Sequence, residues 1–558
     1  MGILQFKKVN CKNCYQCVRN CPVKSIEVKN HQAQIIEREC ILCGRCTVVC
    51  PQKAKTEVCE LPRVKELLLG GTRLVASVAP SYAAFFSLSG FAPLREALLQ
   101  LGFADARETA EGAYLVKSEY ERLAARDARP IVTSACTAVN TYVEKHYPEA
   151  LPYLAPVLTP MQVHARLIKR EDPGAIVIFI GPCVSKKAEC LAPDSYTDVA
   201  LTFENLRDWL GESRIALHDA CEPHEPRRSR FFPTDGGILA TMEHLPGRRY
   251  ISASGMEECM AALRDVVAGR LPGCVLELSA CRGSCVGGPS FADEGLSRLA
   301  SQCAVEATAR AEDGRDFDLP RETPVETTYH DRKIEYAMPT EKQILTILQR
   351  MGKHGPEDEI NCGICGYASC REKAVAIYFG KAEQTMCLPY MQSRAESLSG
   401  KILEVTPNAV LAVDDTLKIL QVNAAACELF GLRDADLVGQ PVSRVLDEYD
   451  FVEMLAARKP RAARNVFLAD YNVYLEQNLL YDAPGGIIVC IMKDITREKQ
   501  RRGQLRKRRL QTAGMADAIV EKQLRIVHEI ASLLGETAAE TKAAVRDLKE
   551  TILFEEEE

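Results

Sequence analysis

The sequence predicts a multidomain protein of mixed α/β and α+β class. Three observations predict it. The 558 residues are enough for about three to five domains, at roughly 100–200 residues each. The 24 cysteines are clustered, not scattered. From about 61 to 335, short apolar runs alternate with helix-length stretches, and that alternation then stops. The balance of 47% apolar and 26% charged residues, with net charge −6, is that of a soluble globular protein and asks for no nucleic acid. No run reaches the roughly 18 apolar residues of a membrane span. The longest candidate, AIVIFIGPCV at 175–184, is broken by Gly181-Pro182 and reads as a buried strand. The opening MGILQFKKVNCKNC has no signal-like apolar region. The expected setting is the cytoplasm, where disulfides are unlikely, so the cysteines call for metal.

Residues 1–60 contain one spacing twice. CKNCYQCVRNCP places Cys11, Cys14, Cys17 and Cys21 before Pro22, and CILCGRCTVVCP places Cys40, Cys43, Cys46 and Cys50 before Pro51. This C-x2-C-x2-C-x3-C-P run is the two-cluster ferredoxin pattern, in which the fourth Cys of each run ligates the other cluster. Cys11, Cys14, Cys17 and Cys50 are expected to hold one [4Fe-4S] cluster, and Cys40, Cys43, Cys46 and Cys21 the other. Backbone amides of the tight loops can then point at sulfurs and tune the potential. A zinc knuckle is the alternative, and the tandem repeat with both prolines argues against it.

Residues 61–335 read as α/β. RLVASVA (73–79), RPIVTSA (129–135) and AIVIFIG (175–181) are strands, and APLREALLQLGF is helical. In open α/β sheets ligands collect at the carboxyl ends of strands. Three such points carry cysteines: TSACT (133–137), GPCVSKKAE (181–189) and ELSACRGSC (277–285).

Residues 336–395 form a small helical unit with Cys362, Cys365, Cys370 and Cys387. A cubane or a zinc would suit it. The C-G-x-C-G-x-x-x-C … C pattern resembles the small [4Fe-4S] domain of corrinoid and acetyl-CoA-pathway proteins. Residues 396–496 lack a cysteine set. VNAAACELFG, LVGQ and the exit DITRE resemble a PAS domain, with Cys427 and Cys490 read as core thiols. Residues 497–558 are read as a C-terminal helix. It opens with a basic run and carries a short coiled-coil seam of Ile519, Ile526 and Leu533 beside Val527, Ile530 and Leu534. The basic run is a solvated face or a docking surface for an acidic partner.

The three cysteine points of 61–335 jointly resemble the loops that hold the H-cluster of [FeFe]-hydrogenases, which read TSCCP, MPCxxKxxE and ExMxCxxGC. The matches are Cys136; Pro182, Cys183, Lys186 and Glu189; and Glu277, Cys281 and Cys285. VAPSY (78–82) and FPTDGGILATM (232–242) support the resemblance, which covers about 1–335. It implies that Cys136, Cys183, Cys281 and Cys285 ligate a fourth [4Fe-4S] cluster. Cys285 would bridge it to a diiron subsite bearing CO, cyanide and a dithiolate amine. Lys186 would hydrogen-bond a cyanide, Ser81 another, and Pro80 would face the subsite. The substrates implied are H2 and protons, with electrons passing to the ferredoxin clusters and on to a redox partner such as ferredoxin. Hydrogenase maturation proteins are implied as loading partners.

The departures point to slow chemistry. Ala135 stands where fast hydrogenases carry a proton-passing cysteine. Gly181 and Ser279 replace methionines, which should leave the pocket roomier and more polar. Glu111 and Glu119 are candidate proton-path acids, against a reading as surface helix charges. The domain order resembles the sensory [FeFe]-hydrogenases, which implies a relay of H2 or redox state through PAS to a separate Ser/Thr phosphatase or kinase, and a homodimer through PAS and the coiled coil. A turnover hydrogenase, and an iron–sulfur electron-transfer or scaffold protein without a diiron subsite, are the alternatives. Cys59, Cys190, Cys221, Cys259, Cys274, Cys303, Cys427 and Cys490 are unassigned, most of them read as packing. His218, Cys221 and His224 have metal-like spacing but read as a loop.

Overall fold

A computed structural model of the protein describes residues 2–6, 10–218, 225–291, 295, 297–310, 315–319, 323–457, 463–483, 485–534, 545–546 and 548–549. The fold is multidomain, and the chain divides into two compact units, Met1–Met391 and Gln392–Glu558.

In the first unit, an antiparallel strand pair, Leu4–Phe6 with Lys55–Glu57, and a hairpin, Ile26–Lys29 with Gln32–Ile35, frame the N-terminal cysteine runs. An α/β body follows. Its four-stranded sheet is parallel throughout, in the order Asp105–Glu108, Leu74–Val78, Ile176–Gly181, Val199–Thr202. A second parallel sheet has the order Arg249–Ser254, Cys274–Ser279, Ile131–Val132. Leu74–Val78 and Cys274–Ser279 are buried at every position, as expected of strands covered on both faces. That is why they read as continuous apolar runs and not as alternations. Helix Pro160–Glu171 opens with proline in its first turn, where no amide partner is lost. Gly112, on helix Ala110–Arg126, lets that helix touch it closely: a Cβ there would lie 2.2 Å from Pro160 O and 2.8 Å from His164. Helices Glu341–Arg350 and Cys370–Tyr378 complete the unit, the latter capped by Ser369, whose side chain accepts from Glu372 N.

The second unit is a five-stranded antiparallel sheet in the order Ile419–Val422, Ala409–Val413, Ile487–Asp494, Val473–Asp482, Arg464–Leu468. Burial alternates along Val473–Asp482, the mark of a sheet covered on one face. Helices including Ala424–Phe430 and Tyr449–Ala457 cover it, and Leu411, Phe430, Phe451 and Ile488 form the core. Helix Thr496–Leu534 follows. Its Ile519 and Ile526 are exposed. Val527, Ile530, Leu533 and Leu534 continue that helix, and the described part of them is the backbone alone. Cys490 is a core thiol, pushed up to about 12 by burial. Cys427 is a correction: it is only half-buried, because Ala426 and Phe430 supply that helix's inward face. No helix among the described residues is long and apolar enough to cross a membrane.

Candidate functional site

The cysteine-bearing loops of the α/β body leave the carboxyl ends of three strands. Cys136 follows Ile131–Val132, Cys183 follows Ile176–Gly181, and Cys281 and Cys285 follow Cys274–Ser279. All four line one cavity of about 30 Å³, and Cys43 of the N-terminal segment lines it too. Burial raises the thiols of Cys136 and Cys281, and the neighbouring cysteines add to it. Cys285 is pushed up to about 12 by burial and by the proximity of Cys183 and Cys136. It is the exposed member of the four. Four thiols on one cavity would repel one another once ionised, so a metal cation suits them, and coordination to iron deprotonates such thiols outright. A cluster-sized polynuclear cation fits this donor set. Ala280 N donates to Cys136 Sγ at 3.5 Å.

A second cavity, of about 110 Å³, adjoins the first and shares Cys136, Cys183 and Cys285 with it. Pro80, Ser81, Ala135 and Lys186 line it. An engineered cavity of about 150 Å³ holds benzene, so this one has room for a small group. Ser81 is wholly buried, and its Oγ has no partner. Lys186 is buried; its Nζ donates to Glu189 Oε1 at 2.6 Å and to Ala135 O at 3.4 Å. Burial alone would depress Lys186, but Glu189 and the nearby cysteines raise it. Glu189 also accepts from Thr137 Oγ1 and, at 2.6 Å, from Thr159 Oγ1. Glu189 therefore anchors the lysine. A free hydroxyl and a fixed ammonium on a largely apolar wall suit small anionic acceptors.

Three expectations need correction. Gly181 does not open the cavity, because the Phe179 ring lies 2.6 Å from where its Cβ would be, and Phe179 lines the cavity itself. Glu119 is a half-buried carboxylate tied up in an ion pair with exposed Arg122, and it does not line the cavity. Glu111 is not free to shuttle protons: burial would raise it, but His164 and Arg107 hold it at about 2. The residues the sequence did not indicate are Thr109, Ser77 and His164. Thr109 lines the larger cavity. Its Oγ1 lies 2.8 Å from Ser77 Oγ, which lies 2.7 Å from His164 Nδ1. His164 Nε2 sits 3.7 Å from Glu111. All three are buried, and no motif spacing could have linked them.

The N-terminal cysteines group across the two runs. Cys21, Cys40, Cys43 and Cys46 line one cavity of about 20 Å³. Cys17 is raised by burial, countered by Lys55 and pushed further by Cys50. Lys55 is buried, and its Nζ donates to Cys17 Sγ at 3.2 Å. Backbone amides reach sulfur at 3.3 Å: Ser25 to Cys21, Leu42 to Cys40 and Ala54 to Cys50. Cys362, Cys365, Cys370 and Cys387 line a further cavity of about 20 Å³ with Lys353 and Lys373. Of the other cysteines, Cys259 and Cys274 are buried and Cys190 is half-buried, while Cys59 and Cys303 are exposed and do not pack. Cys221 and His224 lie outside the described residues.

Comparison with known proteins adds four matches along the chain. Residues 72–248 and 243–289 match the iron only hydrogenase large subunit, C-terminal domain. Residues 10–54 match the 4Fe-4S dicluster domain, 358–389 an Fe-S cluster family, and 400–495 the PAS fold. The chain is 28% identical over 205 residues to the cytosolic Fe-S cluster assembly factor NAR1 of Yarrowia lipolytica, covering 32% of this chain and 41% of that protein. It is 26% identical over 362 residues to the periplasmic [Fe] hydrogenase large subunit of Nitratidesulfovibrio vulgaris, covering 47% of this chain and 86% of that one. A solved [FeFe]-hydrogenase structure, titled for stepwise H-cluster assembly in HydA, aligns with 18% identity and a TM-score of 0.39, over 50% of this chain and 100% of that one.

Proposed function

From a chain that carries an iron-only hydrogenase C-terminal domain, an Fe-S dicluster domain, a further Fe-S segment and a PAS fold, we propose a sensory [FeFe]-hydrogenase. It binds H2 at an H-cluster, oxidises it slowly and reversibly, and relays H2 or redox state through Fe-S clusters and PAS to a separate output partner. The observation that carries this reading is the second cavity, with unpartnered Ser81 and buried Lys186 beside the four cysteines. A cubane alone requires no such space. When bound, a diiron subsite with CO, cyanide and a dithiolate amine would supply an open metal position and a base for heterolytic H2 cleavage.

The chain's own residues would do the rest. Cys136, Cys183, Cys281 and Cys285 would hold the cubane. Lys186, fixed by Glu189, and the Ser81 hydroxyl would donate hydrogen bonds into the larger cavity, and Pro80 would close its wall. Ala135 carries no proton. A proton would leave instead through Thr109 Oγ1, Ser77 Oγ and His164 Nδ1, with Glu111 facing the opposite ring nitrogen. Two hydroxyls must reorient for each transfer, which fits a slow site. Cys43 lies on the cubane cavity, so electrons would pass to the Cys21, Cys40, Cys43 and Cys46 cluster. The exposed Ile519 and Ile526 would pair two copies, and a Ser/Thr phosphatase or kinase would read the result. The setting proposed is cytoplasmic, although one relative is named cytosolic and the other periplasmic.

A second reading is an Fe-S scaffold without a diiron subsite. It is favoured by the relative named for Fe-S cluster assembly and by Ala135. Infrared spectroscopy decides between them. After maturation with a synthetic diiron complex, bands of iron-bound CO and cyanide should form and shift under H2. If no bands form in cluster-replete protein, the scaffold reading stands.

A further inference from the structure

Five lysines are buried among the described residues: Lys55, Lys186, Lys187, Lys353 and Lys373. Lys186 pairs with Glu189 at 2.6 Å and Lys187 with Glu57 at 3.1 Å. Among the described residues, the other three form no ion pair with a carboxylate. Each adjoins a cysteine set instead. Lys55 donates to Cys17 Sγ, while Lys353 and Lys373 both line the pocket of Cys362, Cys365, Cys370 and Cys387. Lys353 and Lys373 are only 6% and 2% exposed. Each spends one donor on a backbone carbonyl, of Asp358 and Gln384 respectively. A buried ammonium without a counter-charge costs several kcal/mol. Both ammonium groups thus suit an anion held by the four cysteines, and a thiolate-bound Fe-S cluster is such an anion. Its negative charge grows on reduction, so fixed cations beside it favour the reduced form and raise its potential. This pocket has two such cations, against one beside Cys17.

The pocket is also docked on the dicluster segment. Lys24 Nζ donates to Val18 O and Arg19 O on one side and to Gly366 O on the other, at 3.0–3.1 Å. Val28 N donates to Lys381 O at 2.8 Å. Lys381 pairs with buried Glu39 at 2.6 Å. Cys365 shares one apolar cluster with Cys11, Cys17, Cys21 and Cys46.

We propose that the cluster of Cys362, Cys365, Cys370 and Cys387 is the electron terminus of this unit, held by Lys353 and Lys373 at a higher potential than the two dicluster centres. One electron leaves a reduced dicluster centre, which is oxidised, and reduces this cluster, with no bond made or broken. The inference rests on the reading that these cysteines hold a [4Fe-4S] cluster.

The test is a dithionite titration of the full-length, iron-replete protein followed by electron paramagnetic resonance, with metal analysis of each sample. The signal absent from Cys365→Ser should be the first to appear on reduction. At full reduction it should show spin–spin broadening with the dicluster signals. Lys353→Met with Lys373→Met should shift that one midpoint downward and leave the dicluster midpoints in place. If the signal appears after the dicluster signals, or shows no broadening, the proposal is overturned, and this wild-type order does not depend on the lysine variant folding. An unmoved midpoint in the iron-replete double variant overturns the role of the lysines. Zinc at this site, with the other sites filled by iron, overturns the cluster reading itself, and metal analysis reports that separately.

Discussion

Glu277, on the strand that leads to Cys281, offers a sharp test of how the site is held. Its side chain is 1% exposed. Oε2 accepts from Leu239 N at 3.1 Å, while Oε1 has no partner. It thereby ties the Phe232–Met242 stretch, which contributes Phe232 and Ile238 to the larger cavity, to the ligand-bearing strand. Burial raises its carboxyl from 4.5 to about 8, against the lowering effect of the backbone amides. The unfolded chain releases this proton near 4.5, but the folded chain keeps it until about 8. Between those values the folded state binds more protons, so stability is fullest below the window and falls as pH rises through it. At about 1.36 kcal/mol per unit, the whole window is worth about 5 kcal/mol, and about 3 kcal/mol is lost by pH 7. Glu277→Gln keeps the shape without the titration. Urea unfolding of the cofactor-free chain from pH 5 to 9, read by the fluorescence of the single, buried Trp209, should show this slope in the wild type and not in the variant. The variant should be the more stable above pH 8. Infrared difference spectra at pH 7 should show a protonated carboxyl that the variant lacks. A variant with the wild-type slope would refute the reasoning.

Three further outcomes are expected. Glu108 and Arg230 form a buried bidentate pair at 2.6 and 2.8 Å. Glu108→Gln should cost about 3–5 kcal/mol in urea unfolding, and Glu108→Leu with Arg230→Met should recover most of it. Gly112→Ala puts a Cβ 2.2 Å from Pro160 O and should cost about 1–3 kcal/mol as helix Pro160–Glu171 is displaced, read by thermal unfolding. In protein loaded with a diiron complex, His164→Gln should slow H2-dependent dye reduction by roughly 10²-fold with the CO and cyanide bands in place; an unchanged rate would end the Thr109–Ser77–His164 route.

The ferredoxin-type domain was legible because its cysteines are local in sequence: the spacing suits a loop around a cube face, and the two runs repeat it. The sheets were legible because fully buried strands such as Leu74–Val78 cannot alternate. The lone Cys136 was legible only jointly with Cys183, Cys281 and Cys285, since three strand ends far apart in sequence must converge. Contacts between distant side chains left no pattern. Ser77 and His164 are 87 residues apart, and Phe179 fills the space beside Gly181 from two positions away on the same strand. Nothing local in the sequence marks Lys353 and Lys373 as buried; the fold alone encloses them. Cys427 went the other way, because one-sided helix burial follows register, and Ala426 and Phe430 took the inner positions.

The four cysteines of the central cavity come from two different sheets. Cys136, Cys281 and Cys285 extend from the three-stranded sheet, and Cys183 from the four-stranded one. On the proposed reading, a metal cube held by all of them would be a mechanical staple between two sheets that share no backbone ladder. Losing it would remove a tie between them, so the cofactor-free protein would be the looser object, not merely the inactive one.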